Sequence, residues 1–185
     1  NMLTPSDGAR PRMRMYVFQG RAYSSLTATP GGLYASGTAS FGPSLFNVTA
    51  ELVLAVDATP NTADACTALT NNVAGRIVLV DRGTCTFAIK AQNVQAAGGV
   101  GMILANNVGG VPPPGLGGTD PSVTIGSLSV TLESGNTLKT ALSGGAVSVT
   151  MTRTKDPDRD GALENQVIAH EWGHYISNRL IADAN

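Results

Sequence analysis

The chain has 185 residues, enough for one sizeable domain or for a compact domain carrying pieces of another. Its net charge is −1 and only 14% of its residues are charged, which excludes the basic footprint of a nucleic-acid binder and offers nothing to an anionic membrane surface. With 22 Gly, 10 Pro and a hydrophobic fraction of 42%, the composition is globular, loop-rich and β-leaning, and no apolar run approaches the ~20 residues of a membrane-spanning helix.

Residues 4–8 (Thr-Pro-Ser-Asp-Gly) are turn-rich. Residues 12–18 alternate polar and apolar side chains before an apolar end at Tyr16, Val17 and Phe18, which predicts a strand with one buried face. Residues 19–47 are poor in large apolar side chains and hold a strong turn at Thr29-Pro30-Gly31-Gly32, so this composition shift reads as a boundary. From residue 50 the pattern becomes regular. Residues 51–56 predict a strand ending between Asp57 and Pro60, and 64–69 a short helical turn. Residues 76–80 form the nearly continuous β-branched run of a strand buried on both faces, closed by Asp81-Arg82-Gly83.

Residues 86–97 predict a helix with Phe87, Ile89, Ala91, Val94 and Ala97 on its apolar stripe, and Gly98-Gly99 supplies the stop. Residues 100–105 make a second apolar strand, so strand, helix and strand form a parallel crossover unit. The Gly/Pro loop over 106–121 cannot pair inside a sheet. Short strands at 122–125 and 130–132, a helix over 134–142 with Leu138 and Leu142 spaced by four, and an alternating strand at 146–151 follow. The fold class is α/β and β-rich, with two helices in its central part. No internal repeat is present.

Cys66 and Cys85 are an even pair, compatible with a bridge or with two buried thiols. Low charge and abundant Gly, Ser and Thr favour an exported protein, in which a bridge persists. The sequon Asn47-Val48-Thr49 is compatible with export and decides nothing. Position 1 is Asn rather than Met and no signal peptide stands there, so the expectation is a mature product or excised piece whose export signal lay upstream.

Two stretches near the end carry chemistry. Asp156, Asp158, Asp160 and Gly161 match the first half of a calcium loop, but Glu164 falls too early for the closing ligand. The preferred reading is a solvated acidic turn at the N-terminus of the next helix. That helix holds both histidines of the chain, His170 and His174, four residues apart and preceded by Val167-Ile168-Ala169, an apolar flank that would anchor it in a core. A spacing of four brings both imidazoles to one helical face, where they can share one ion, and Glu171 between them can serve as general base. This is the His-Glu-x-x-His arrangement of zinc peptidases. Two ordinary surface histidines are the bland alternative.

The run from Gly75 to Phe87 (Gly-Arg-Ile-Val-Leu-Val-Asp-Arg-Gly-Thr-Cys-Thr-Phe), with Lys90, Ala91 and the segment 96–107, resembles the core signature of the protease-associated domain. The resemblance covers residues 26–152. It implies a small β-rich α/β fold with two helices, a Cys66–Cys85 bridge and no catalytic residues within the domain. That family accompanies proteases and receptors and is associated with substrate access or docking.

Both ends, residues 1–25 and 153–185, resemble secreted zinc metallopeptidases of the fungalysin type, which are thermolysin-like. The matching residues are 1–8 with 11–16, then 159–165, His170-Glu171-Trp172-Gly173-His174 and 176–180. The resemblance implies a protease-associated domain inserted between two segments of a catalytic domain, with His170 and His174 as zinc ligands and Glu171 as base. Trp172 stands where Tyr is usual, and Tyr175 where Gly is frequent. The family's third ligand is a Glu on a later helix. Only 185 − 174 = 11 residues follow His174, and none is Glu. The resemblance thus places the third zinc ligand outside this chain.

The expectation is part of a secreted zinc metalloendopeptidase, inactive alone, that requires Zn2+, with Ca2+ a weak second candidate. Its partners would be a peptide or protein substrate and the remainder of its own catalytic domain, with neither nucleic acid nor membrane. The alternatives are a non-catalytic module that binds peptide or controls substrate access, and an inactive remnant.

Overall fold

The computed structural model describes residues 17–58, 62–160 and 165–182. The predicted turn at 4–8, the predicted strand before Val17, the strand end at Pro60, and Gly161 and Glu164 lie outside the described residues. The chain divides into two compact units, one of residues 23–154 and one of residues 1–22 with 155–185.

The larger unit is built on a sheet whose centre is read directly from apolar runs. Strands β5 (Phe46–Leu54), β6 (Ile77–Asp81), β7 (Gly101–Ala105) and β8 (Gly126–Val130) lie side by side and parallel. Ile77, Val78, Leu79 and Val80 are fully buried, as are Met102, Ile103 and Leu104, because helices cover both faces of the parallel strands. Side chains alternate between two cores. Val78, Val80, Met102 and Leu104 meet Ala91 and Val94 of α1 (Phe87–Ala96), whereas Ile77, Leu79, Ile103 and Ala105 meet Leu138 of α2 (Leu132–Gly144).

The crossover β6–α1–β7 has the predicted parallel form. Thr86 caps α1 by accepting from Ile89 N, and Gly98 stops it with φ +84°. Thr131 caps α2 by accepting from Ser134 N at 3.1 Å. Gly135 lets α2 lie close to β7, since a Cβ there would come within 2.5 Å of the Ala105 Cβ.

Further strands extend the sheet to the order β3-β2-β9-β5-β6-β7-β8-β4. They are β2 (Ala22–Thr29), β3 (Gly32–Tyr34), β4 (Gly37–Thr38) and β9 (Ser148–Lys155), with β9 antiparallel to β5 and β4 antiparallel to β8. β2 and β3 pair antiparallel on either side of the predicted turn at Pro30 and Gly31. In the smaller unit β1 (Val17–Phe18) pairs antiparallel with β10 (Arg159–Asp160), and α3 (Asn165–Ala182) follows.

The structure corrects four expectations. Residues 22–38, assigned no strand, form β2, β3 and β4; Leu26 and Ala28 bury one face of β2 between small polar residues. Residues 64–69 are not helical, because Ala65 takes φ +52° and the Asp64 carboxylate accepts from Cys66 N at 3.1 Å. The strands expected at 122–125 and 130–132 are one strand at 126–130, since Thr124 N donates to Gln95 Oε1 at 2.6 Å and is held outside the ladder. On α1, Ile89 is exposed and Lys90 is fully buried.

Candidate functional site

α3 supplies the expected pair. His170 and His174 stand one turn apart with Nε2 atoms 3.0 Å from each other and rings meeting edge to face at 87°. Both are exposed. Two nitrogens on one tetrahedral zinc, each at ~2.0–2.1 Å, lie about 3.3 Å apart, so the pair fits two positions of a zinc site with a small adjustment. Glu171 follows His170 directly on the same helix.

Of the apolar flank expected to anchor this helix, the Val167 side chain lies outside the described residues. Ile168 is half-buried, while Ala169, Trp172, Tyr175 and Ile176 are exposed, Trp172 at 57%. Among the described residues no third His, Cys, Asp or Glu joins the two histidines, and no group of three such residues is placed to hold a metal. The helix therefore offers two nitrogen ligands and an adjacent carboxylate residue, and no closed ligand set.

The calcium reading of Asp156, Asp158 and Asp160 has no support. Asp158 Oδ1 accepts from Lys155 Nζ at 2.6 Å and from Gly20 N at 2.8 Å, and these bonds hold its carboxyl below the usual carboxylate range. That oxygen ties a turn together.

Cys66 and Cys85 are bridged, joining the segment before β6 to the start of α1. Beneath the bridge, Lys90 donates from Nζ to the Asp64 carbonyl and lies 3.3 Å from Cys66 Sγ. Burial pushes its pKa below the usual 10.5, opposed by Asp64, Asp57 and Asp81. Apolar periodicity misses this arrangement, because a lysine signals a surface position.

A second feature also escaped the sequence reading. At the carboxyl ends of β6 and β7, Asp81, Arg82, Asn106, Asn107, Leu132 and Lys139 line a cavity of about 220 Å³. Lys139 Nζ pairs with Asp81 at 2.6 Å, and Arg82 Nη1 donates to Asn106 Oδ1 at 3.0 Å. The available signal was positional: the outer ends of parallel strands are where open α/β sheets bind ligands.

With this geometry in place, the PA domain family matches residues 48–138, which carry most of β5, all of β6, β7, β8 and α1, the first half of α2 and the bridge. This region is a PA domain. Leucine aminopeptidase 2 of Trichophyton rubrum is 35% identical over 130 residues, covering 70% of this chain and 25% of that protein. The aminopeptidase from Aneurinibacillus sp. strain AM-1 superposes with a TM-score of 0.56 at 25% identity, over 77% of this chain and 34% of that one. The subtilisin-like protease Apa1 from Pseudoalteromonas sp. AS-11 shares the fold, with a TM-score of 0.57 at 19% identity over 75% of this chain and 34% of its own. This chain spans about a quarter of the length of the curated relatives it matches. The family match ends before His170, and the enzymes named here give no support to the fungalysin-type, thermolysin-like assignment of the flanks.

Among the described residues no helix is long and apolar enough to cross a membrane.

Proposed function

We propose that this chain is the PA-domain-bearing portion of a secreted zinc metallopeptidase, with residues 1–25 and 153–185 belonging to its catalytic part. The observation that carries the reading is the pair of His170 and His174 Nε2 atoms 3.0 Å apart on one helix, with Glu171 between them in sequence. The peptidase class is further supported by the likeness to leucine aminopeptidase 2, and export by the Cys66–Cys85 bridge, which persists in oxidising compartments.

In this reading His170 and His174 would hold the ion, and a third ligand would come from a residue other than those described. Zinc bound there would supply Lewis acidity to a scissile carbonyl and a lowered pKa to an attacking water. The Glu171 carboxylate takes the water's proton and delivers it to the leaving amine. The PA domain contributes no group to the bond-breaking step and acts on access or docking of a peptide substrate.

The resemblance of the flanks to fungalysin-type enzymes implies cleavage at internal bonds, whereas the named relatives are aminopeptidases, so the experiment separates the two. A longer form of the protein, assayed on casein and on leucine p-nitroanilide, is expected to lose activity to phenanthroline. It should also lose ~10²–10⁴ in rate with Glu171→Gln, the usual cost of removing a general base. A Glu171→Gln variant with unchanged turnover overturns the assignment. The 185-residue chain alone is expected to be inactive in both assays, because two ligands do not complete a catalytic zinc site.

A second reading, a non-catalytic module that binds peptide or a partner, is favoured by the family match ending before the histidine pair. It predicts that the longer form, too, is indifferent to chelation.

A further inference from the structure

The Cys66–Cys85 bridge has two unlike ends. Cys66 follows the buried pair Asp64 and Ala65, and its Sγ lies 3.3 Å from Nζ of the fully buried Lys90. Cys85 stands between Thr84 and Thr86, both exposed, and directly precedes the cap of α1. Both cysteines are half-buried, so a small molecule reaches the bridge from the Cys85 side.

Lys90 Nζ donates to the Asp64 carbonyl and to Cys66 Sγ. A carbonyl is an ordinary partner for an amino group, but a bridged sulfur is a weak acceptor. A thiolate in the same place is a stronger one, since hydrogen bonds between charged partners exceed neutral ones. Burial disfavours the charge on Lys90, and Asp64, Asp57 and Asp81 oppose that effect. Negative charge arriving on Cys66 would act in the same sense as those carboxylates. Lys90 therefore favours the broken S–S bond over the intact one, which is the condition for assisting its cleavage.

Thiol–disulfide exchange has a direction. The attacking sulfur joins one cysteine while the other leaves as a thiolate, and the better stabilised thiolate leaves faster. The amino end of α1 could stabilise Cys85, but that residue lies before the cap, outside the turn in which the helix dipole is felt. Cys66 has an N–H donor in direct contact. Electrostatics thus makes Cys66 the leaving group and Cys85 the sulfur attacked. Access agrees, because Lys90 and Asp64 back Cys66 from the buried side.

We propose that Cys85 is a reversible thiolation site that takes a small-molecule thiol. The thiolate bonds to Cys85 Sγ, the Cys66–Cys85 bond breaks, and Cys66 departs with the electron pair as a thiolate beside Lys90 Nζ. One disulfide is consumed and one is formed, so the step needs neither oxidant nor reductant. Attack by Cys66 on the new disulfide restores the bridge and expels the added thiolate. The site stands on the PA domain alone; its failure leaves the metal reading of α3 intact, and the reverse also holds.

Reduced glutathione is the probe. The native 185-residue chain is incubated with an excess of it at neutral pH, freed thiols are alkylated with N-ethylmaleimide within seconds, and proteolytic peptides are mapped by mass. The expected result is glutathione on Cys85 with maleimide on Cys66, at least about tenfold over the opposite pattern. Lys90→Met keeps a long apolar stem and deletes the donor, so it should bring the ratio towards one and slow adduct formation, with the fold checked by circular dichroism. The urea-unfolded wild type, in which Lys90 no longer adjoins Cys66, should also give a ratio near one. The proposal is overturned if glutathione enters Cys66 as often as Cys85 in the native chain, or if only the unfolded chain forms an adduct. It is overturned equally if folded Lys90→Met or the unfolded wild type keeps the native preference. Comparison of native with unfolded wild type decides the matter even where Lys90→Met does not fold.

Discussion

Helices α1 and α3 do opposite work in this chain. α1 spans 10 residues and buries Lys90, Ala91 and Val94 against the sheet. α3 spans 18 residues and carries the only histidines, yet it leaves Trp172, Tyr175 and Ile176 exposed. The short helix is fixed by packing and by its Thr86 cap. The long one carries the candidate histidine pair, and its described side chains beyond Ile168 are exposed. The packed fold and the proposed metal-binding pair therefore lie on different parts of the chain, so recognising the first leaves the second open. The same separation is visible outside this chain, where an aminopeptidase and a subtilisin-like protease share the PA-domain architecture.

The largest expected effect sits at the centre of the packed region. Leu104 is fully buried in the core that β6 and β7 form with α1, and Leu104→Ala should cost about 2–5 kcal/mol, through lost transfer energy and the cavity left behind. Denaturant titration checks this, with the midpoint lowered and the slope retained. The bridge comes next. Cys66 and Cys85 are 19 residues apart, and opening that loop by Cys85→Ser with Cys66→Ser should cost about 3 kcal/mol by the chain-entropy estimate. A double variant as stable as the wild type would show that the bridge constrains nothing the fold has not already fixed.

Which parts were legible follows from what each region buries. The parallel centre was readable because strands covered on both faces must be apolar at every position, as residues 77–80 and 101–105 are. β8 was harder to see. Its Ser127 and Ser129 interrupt the apolar run although both are buried, and Ser129 Oγ donates to the Pro114 carbonyl. β2 and β3 were missed because Ala, Ser and Thr carry too little hydrophobic contrast for a period of two to stand out. Lys90 falls outside the apolar stripe because periodicity counts apolar side chains and cannot anticipate a carbonyl and a disulfide sulfur as partners. The histidine pair was legible for a different reason, since a spacing of four on any helix brings two side chains together whether or not the helix is packed. The pocket at Arg82 was not, because it draws residues from three separate segments.

Lys90 offers a sharper view of the packed region through pH. Burial holds its pKa below 10.5 in the folded state, with Asp64, Asp57 and Asp81 working against that shift. The unfolded chain therefore keeps the proton over a window just below 10.5 in which the folded chain has begun to lose it. Stability contributed by this residue rises with pH through that window and levels off above 10.5. Lys90→Met should abolish the rise, seen as the difference between wild-type and variant denaturation free energies measured from neutral pH upward. A constant difference would mean that Lys90 titrates alike in both states.

The smallest effect is expected on α3, and it tests the contrast most directly. Trp172 is 57% exposed and Ile176 49%, so in this chain their removal deletes little buried surface. Trp172→Ala and Ile176→Ala should each change the unfolding free energy of the 185-residue chain by no more than ~0.5 kcal/mol, the range of surface substitutions. Residues 23–154 expressed alone should likewise unfold cooperatively with the midpoint of the full chain, because the sheet, both covering helices and the bridge all lie within them. Circular dichroism under urea measures all three. Either helix variant shifting the midpoint by more than a core substitution does would mean that α3 is packed more strongly than its exposure indicates. The division between a packed scaffold and a chemistry-bearing helix would then not hold.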